Sequence, residues 1–180
     1  MGTSALNSVQ ITNLNATPVV IGSTGQNAVG NLRVVTGSVT AVSADDTSSV
    51  YKMVRVPTTA KIKKVEIMSR IQTAGSGDIN VAYSNSTTDG TQPDNQGDII
   101  QISAANNKMF GAAQSLVLAG APTDFTFKNA TNFPQADREL PLWEALGLTS
   151  DPGGFFDIQI NITTAVTTGG EVSMAVYFVE

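Results

Sequence analysis

The sequence predicts an all-β protein: an antiparallel β-sandwich of jelly-roll type, with about eight strands, one short helix near residues 141–146 and an extended N-terminal arm. Three observations carry this. Segments rich in β-branched residues alternate apolar and polar side chains with period two, as strands with one buried and one solvated face do. Clusters of Gly, Pro, Asn, Asp and Ser interrupt them at short intervals. Several connections are too long for a simple meander, which favours Greek-key or jelly-roll connections between two packed sheets.

Residues 1–45 read as an extended arm or as edge strands, and residues 46–180 as the sandwich. The first segment has no aromatic residue, and Arg33 is its one basic side chain. Its apolar residues come in small groups: Val9, Ile11 and Leu14, then Val19, Val20 and Ile21, then Val34 and Val35. So few large side chains cannot build a core alone, so the segment must borrow another surface. Fully extended, at about 3.3 Å per residue, it would reach roughly 150 Å. Its β-branched groups suit strand addition to a neighbour.

From Val50 the pattern sharpens. "VYKMVRVP" and "KIKKVEIMSRI" are strands separated by the turn "PTTA". In the second, Val65, Ile67, Ser69 and Ile71 share one face, and Lys64, Glu66, Met68 and Arg70 the other. In "INVAYS", Ile79, Val81 and Tyr83 alternate with Asn80, Ala82 and Ser84, the mark of a half-buried strand. "SNSTTDGTQPDNQGD" is a long polar loop and "IIQIS" a further strand. "NNKMFGAAQSLVLAG" fits either a short helix or a strand, and "DFTFK" places Phe125 and Phe127 on one face.

"ELPLWEALGLTSDPGG" is the one helical phrase. Pro141 suits the first helical position, where its missing N–H costs nothing. Gly147 stands where a left-handed residue ends a helix, and Leu148 where an apolar residue packs back on the last turn. The single tryptophan, Trp143, then reads as a core plug on a helix that crosses between sheets or caps an open end. Two clean strands close the chain. Phe156, Ile158, Ile160 and Ile162 form the inner face of one, and Val172, Met174, Val176 and Phe178 that of the other.

Composition excludes several chemistries. The chain has neither Cys nor His, so disulfides, thiolate metal sites and Ser-His-Asp or Cys-His catalysis cannot be assembled. A formal charge of −5 argues against a nucleic-acid partner, which wants a basic face. No apolar run approaches the roughly 20 residues of a membrane-spanning helix, so no membrane partner is expected. Only 14% of residues are charged, so solubility rests on Thr, Ser, Asn and Gln.

The remaining motifs are weak. Asp89, Asp94 and Asp98 offer oxygen ligands for calcium, but the spacing of a calcium loop is missing and a solvated loop fits better. Glu66 and Asp157 are candidate paired carboxylates, yet both fall on polar, outward faces. Lys61, Lys63 and Lys64 form the one basic cluster, either a solvated strand edge or a contact for an acidic partner. No cofactor and no enzymatic activity are expected.

In the texture and order of its elements over roughly residues 50–180, with "VPTTAKIKKVEI" and "ELPLWEALGLTSDPGGFFDIQI" in place, the chain resembles head decoration, or cement, proteins of tailed bacteriophages. The resemblance implies a jelly-roll-like fold and a structural virion protein on the outer capsid surface. It implies a homo-oligomer, often a trimer, that binds the major capsid protein and bridges capsomers. It carries over no residue-level site. The expected partner contacts therefore come from the arm and the basic cluster: Val19, Val20, Ile21, Arg33, Val34, Val35, Lys61, Lys63 and Lys64. The alternative is a carbohydrate- or receptor-binding β-sandwich module. Such modules expose aromatic rings for sugar stacking, whereas only 6% of this chain is aromatic and most of those residues fall in core phase.

Overall fold

The computed structural model describes residues 32–43, 45–71, 73–84 and 108–180. They hold eight strands: β1 (Arg33–Ala41), β2 (Val50–Pro57), β3 (Lys61–Ser69), β4 (Ser76–Tyr83), β5 (Gly111–Ser115), β6 (Thr123–Asp124), β7 (Phe155–Thr164) and β8 (Gly170–Val179). The strands form two four-stranded antiparallel sheets, ordered β1-β8-β3-β6 and β2-β7-β4-β5. The first strand pairs with the last, the second with the seventh, the third with the sixth and the fourth with the fifth. A chain paired in this nested way is one long hairpin rolled around a core. That is the jelly-roll topology, as the sequence predicts.

Leu32–Glu180 forms one compact unit by itself. Within the segment 1–45, Arg33–Ala41 form β1, an edge strand in unbroken register with β8 from Arg33↔Phe178 to Ala41↔Gly170. Val19, Val20 and Ile21 lie outside the described residues, as do the loop with Asp89, Asp94 and Asp98 and the stretch "IIQIS".

The core forms between the sheets from the inward phase of each strand. Val65, Ile67 and Ser69 of β3 are fully buried, and so is Ile71 just beyond it. Phe156, Ile158, Ile160 and Ile162 of β7 face Val172, Met174, Val176 and Phe178 of β8 from the opposite sheet, all within one apolar cluster. Each such side chain contributes about 1.5–3 kcal/mol by leaving water. Gly37 shows how tightly the sheets meet at their β1–β2 side. A Cβ there would lie 1.9 Å from the Met53 carbonyl oxygen, so no larger residue fits without backbone movement.

The helical phrase forms α1 (Leu142–Ala145) in the connection that carries the chain from β6 in one sheet to β7 in the other. Its end follows the sequence closely. Gly147 has φ +75°, its N–H donates to the Glu144 carbonyl, and the Leu148 N–H donates to the Trp143 carbonyl. This is the paired hydrogen bonding of a Schellman motif. Its start differs by one residue. Pro141 is the N-cap, with ψ 147°, and not the first helical residue. The orphan N–H groups of Leu142 and Trp143 donate instead to the carbonyls of Ala60 and Thr58, in the β2–β3 turn. The helix thus caps one turn of the sandwich, and the half-buried Trp143 packs against the core from there.

Two local expectations need correction, and one open alternative is decided. β4 is not half-buried: Asn80, Ala82 and Ser84 are as buried as Ile79 and Val81. β4 is an inner strand, between β7 and β5, and its outward polar groups are tied across it. "DFTFK" is not a strand with two phenylalanines on one face. β6 ends at Asp124 and the chain turns, so Phe125 is buried while Phe127 is 38% exposed and stacks on Phe133. In "NNKMFGAAQSLVLAG", which fits either a helix or a strand by sequence, Gly111–Ser115 form the strand β5.

Candidate functional site

Three regions bear on function, and the β1–β2 side of the sandwich is the first. Along β1 the even positions Val34, Thr36, Ser38 and Thr40 point outward and are exposed, while Val35, Val39 and Ala41 turn toward the core. Among the described residues seven large hydrophobic side chains are exposed, and four of them, Leu32, Val34, Val42 and Val50, lie in β1, at its ends or at the start of β2. Of the expected contacts, Arg33, Val34 and Val35 fall here. Arg33 is bound to Glu180 at 2.8 Å, and Val35 is half-buried, so Val34 offers the most apolar surface of the three. Leu32, Val42 and Val50 escaped the sequence reading. Val42 continues the even phase of β1, which is the one signal that pointed to it.

The second region is β3, with the three lysines. Lys63 donates to Glu139 Oε1 at 2.7 Å and to the Arg138 carbonyl at 2.9 Å, fastening the 3₁₀ turn Gln135–Glu139 to the sheet. Lys64 lies 2.6 Å from Glu66 Oε1, and Tyr177 donates to Glu66 Oε2 at 3.0 Å. The Lys64 ammonium and the Tyr177 hydroxyl hold the Glu66 carboxyl below its usual range, and Glu66 in turn pushes the Tyr177 phenol up. Two of the three lysines are therefore bound within the chain. Lys61 has no ion-pair partner among the described residues.

The third region is the outer face of the second sheet. Arg55 on β2 grips Asp157 on β7 with two hydrogen bonds, Nε to Oδ1 at 2.6 Å and Nη2 to Oδ2 at 3.0 Å. That bond raises the Arg55 pKa further. Beside it, Asn80 Nδ2 and Gln159 Nε2 both donate to Asn161 Oδ1, at 3.1 and 3.0 Å. Asn80 Oδ1 and Gln159 Oε1 are buried without a hydrogen-bond partner. Asp78 is bound by Lys108 at 3.2 Å and accepts from the Ala113 N–H at 2.6 Å.

These positions settle the carboxylate pair. Glu66 belongs to the first sheet and Asp157 to the second, on opposite outer faces, and each is neutralised by its own cation. Two such groups are separated by the sandwich, about 10 Å thick, and cannot share one glycosidic bond. Among the described residues no three His, Cys, Asp or Glu stand close enough to hold a metal ion. No helix among them is long and apolar enough to cross a membrane.

No protein-family model matches the sequence, and no curated protein does. The chain is similar to a chain of the cyanophage Pam1 capsid asymmetric unit. They share 17% identity over 92% of this chain and 96% of that one, with a TM-score of 0.46. A likeness that loose carries no argument about this chain's function.

Proposed function

We propose that this chain is a structural virion protein, a decoration or cement protein that binds the outer capsid surface and stabilises the head by bridging capsomers. One observation carries the reading: a jelly roll in which four of the seven exposed large apolar side chains among the described residues, Leu32, Val34, Val42 and Val50, belong to β1, its ends or the start of β2. Exposed apolar groups along an edge strand of a chain with few charges suit a contact with another protein. The major capsid protein is the proposed partner. The proposed homo-oligomer is a trimer, as in the resembling proteins, with Val19, Val20, Ile21 and Lys61 as further contacts.

Binding of the purified chain to capsids that lack it tests the reading. Saturable binding is expected, and Val34→Lys with Val42→Lys should weaken it at least tenfold while leaving the melting temperature within a few degrees. Failure to bind any capsid would overturn it.

The alternative, a carbohydrate- or receptor-binding module, would draw on the polar outer face of the second sheet. There the amides of Asn80 and Gln159 donate to Asn161, Asp157 is held by Arg55, and Phe155, 41% exposed, is the one exposed aromatic on that sheet among the described residues. Clear binding on a glycan array would favour that module.

A further inference from the structure

Four strands of the described residues are sheet edges: β1 and β6 in one sheet, β2 and β5 in the other. An edge presents unpaired N–H and C=O groups, and proteins that must stay separate guard such edges by shortness, bulges, proline or charge. Three of the four are guarded. β6 is two residues long. β5 has five residues, a register shift opposite Gly77 and Ile79, and a left-handed Ala113 at φ 47°. β2 has a register shift between Lys52 and Val54, carries Lys52 and Arg55 outward, and ends in Pro57.

β1 has none of these devices. It is nine residues long, in unbroken register with β8, without proline, and its one charge, Arg33, stands at its first position. Beyond β8 it has no strand partner among the described residues.

The sequence of β1 indicates what it pairs with. Around Gly37 it reads Val35-Thr36-Gly37-Ser38-Val39, nearly the same in both directions. In an antiparallel pair, residues directly opposite each other point to the same face. Two copies of β1 centred on Gly37 would set Val35 against Val39, Thr36 against Ser38, and outward Val34 against outward Thr40. Every opposed pair then matches in phase, with Val35 and Val39 inside and Val34, Thr36, Ser38 and Thr40 outside. The two Arg33 side chains would stand eight positions apart, about 27 Å along the strands, too far to repel at physiological salt.

We propose that β1 pairs with β1 of a second copy of this chain, antiparallel and centred on Gly37, joining two four-stranded sheets across a two-fold axis. The contact is isologous, the same patch on both copies. It concerns the same side of the molecule as the proposed function, and it rests on that reading only in taking this edge as a contact surface. On a particle, two-fold contacts of this kind would tie neighbouring oligomers into a net.

The absence of cysteine allows a direct test on the full chain. Thr36→Cys and Ser38→Cys variants are prepared separately, mixed, and treated with a mild oxidant. In the proposed register the thiol introduced at position 36 of one copy faces the thiol introduced at position 38 of the other. The mixture should form a covalent dimer at least fivefold faster than either variant alone, because within a single variant the two thiols lie on the diagonal. A charge swap supplies the second arm, read by light scattering and by cross-linking through the native lysines. Thr36→Lys with Ser38→Lys should abolish pairing without lowering the melting temperature. Thr36→Lys with Ser38→Glu should restore it, since each lysine then meets a glutamate. Equal cross-linking in the mixture and in the single variants would overturn the register. No cross-linking in any of them would overturn self-pairing. If the double-lysine variant then also loses capsid binding, the edge serves the capsid protein and the proposed function stands. If capsid binding fails for the parent chain while β1 pairs, the proposed function falls and the self-pairing remains.

Discussion

At the residue scale, phase decides cost. Ile160 is fully buried in the core, while Asn161 beside it faces outward and accepts two amide hydrogen bonds. Ile160→Asp should cost about 4 kcal/mol, since it removes apolar burial and places a lone charge in the core. Asn161→Asp should cost only about 1 kcal/mol, because a carboxylate still accepts both amide donors. Denaturant melts of the two variants check the assignment, and equal losses would contradict it. Glu66 gives a pH test. Its pKa is lowered by Lys64 and Tyr177, so the stability it supplies is complete above the ordinary carboxylate range and is lost as pH falls through its folded value. Glu66→Gln should therefore melt below the parent at pH 7, and the gap should close as pH falls below the ordinary carboxylate range and through the folded value of Glu66. A gap that stays constant with pH would show that the carboxylate contributes nothing. The alternation at Phe156–Ile162 and Val172–Phe178 was legible because period-two patterning is local. The burial of Asn80, Asp157 and Gln159 was not. Polar side chains read as solvated until their cross-strand partners are known, and those partners lie far away in sequence.

At the element scale, two glycines separate two causes. Gly147 adopts a left-handed conformation with open space around it, so Gly147→Ala should cost about 1 kcal/mol of backbone strain. Gly37 is limited by space, because its Cβ would overlap the Met53 carbonyl, and Gly37→Ala should cost about 3 kcal/mol. Thermal melts of the two variants check the ranking. The end of α1 could be read directly, since Gly147 and Leu148 encode it within a few residues. Its start could not be placed to the residue, because the caps for Leu142 and Trp143 come from Thr58 and Ala60, more than eighty residues away.

At the scale of the whole molecule, the two-sheet plan was legible from strand count, patterning and loop length. The status of β1 was not, since an edge is defined by which strands lie beside it, and β8 is last in the chain. Val34 and Val35 were picked out together, and only the register shows that one faces out and the other in. This bears on the N-terminal segment. We propose that residues 1–31 act in assembly and not in folding. A chain of residues 32–180 should keep a cooperative melt close to that of the full chain but bind capsids more weakly. Removing residues 1–41 deletes β1, uncovers β8 and should lower the melting temperature by ten degrees or more. Equal melts for the two truncations would contradict the place of β1 in the fold.

We propose that this jelly roll is an outer component of a viral capsid. Cryo-electron microscopy of particles purified from the source of this chain tests this most directly. Density is expected outside the capsid shell, at symmetry-related positions between capsomers, into which the β1-β8-β3-β6 and β2-β7-β4-β5 sheets fit with the β1–β2 side in contact with a neighbour. Particles that carry no such density, while the chain remains free in the lysate, would contradict it.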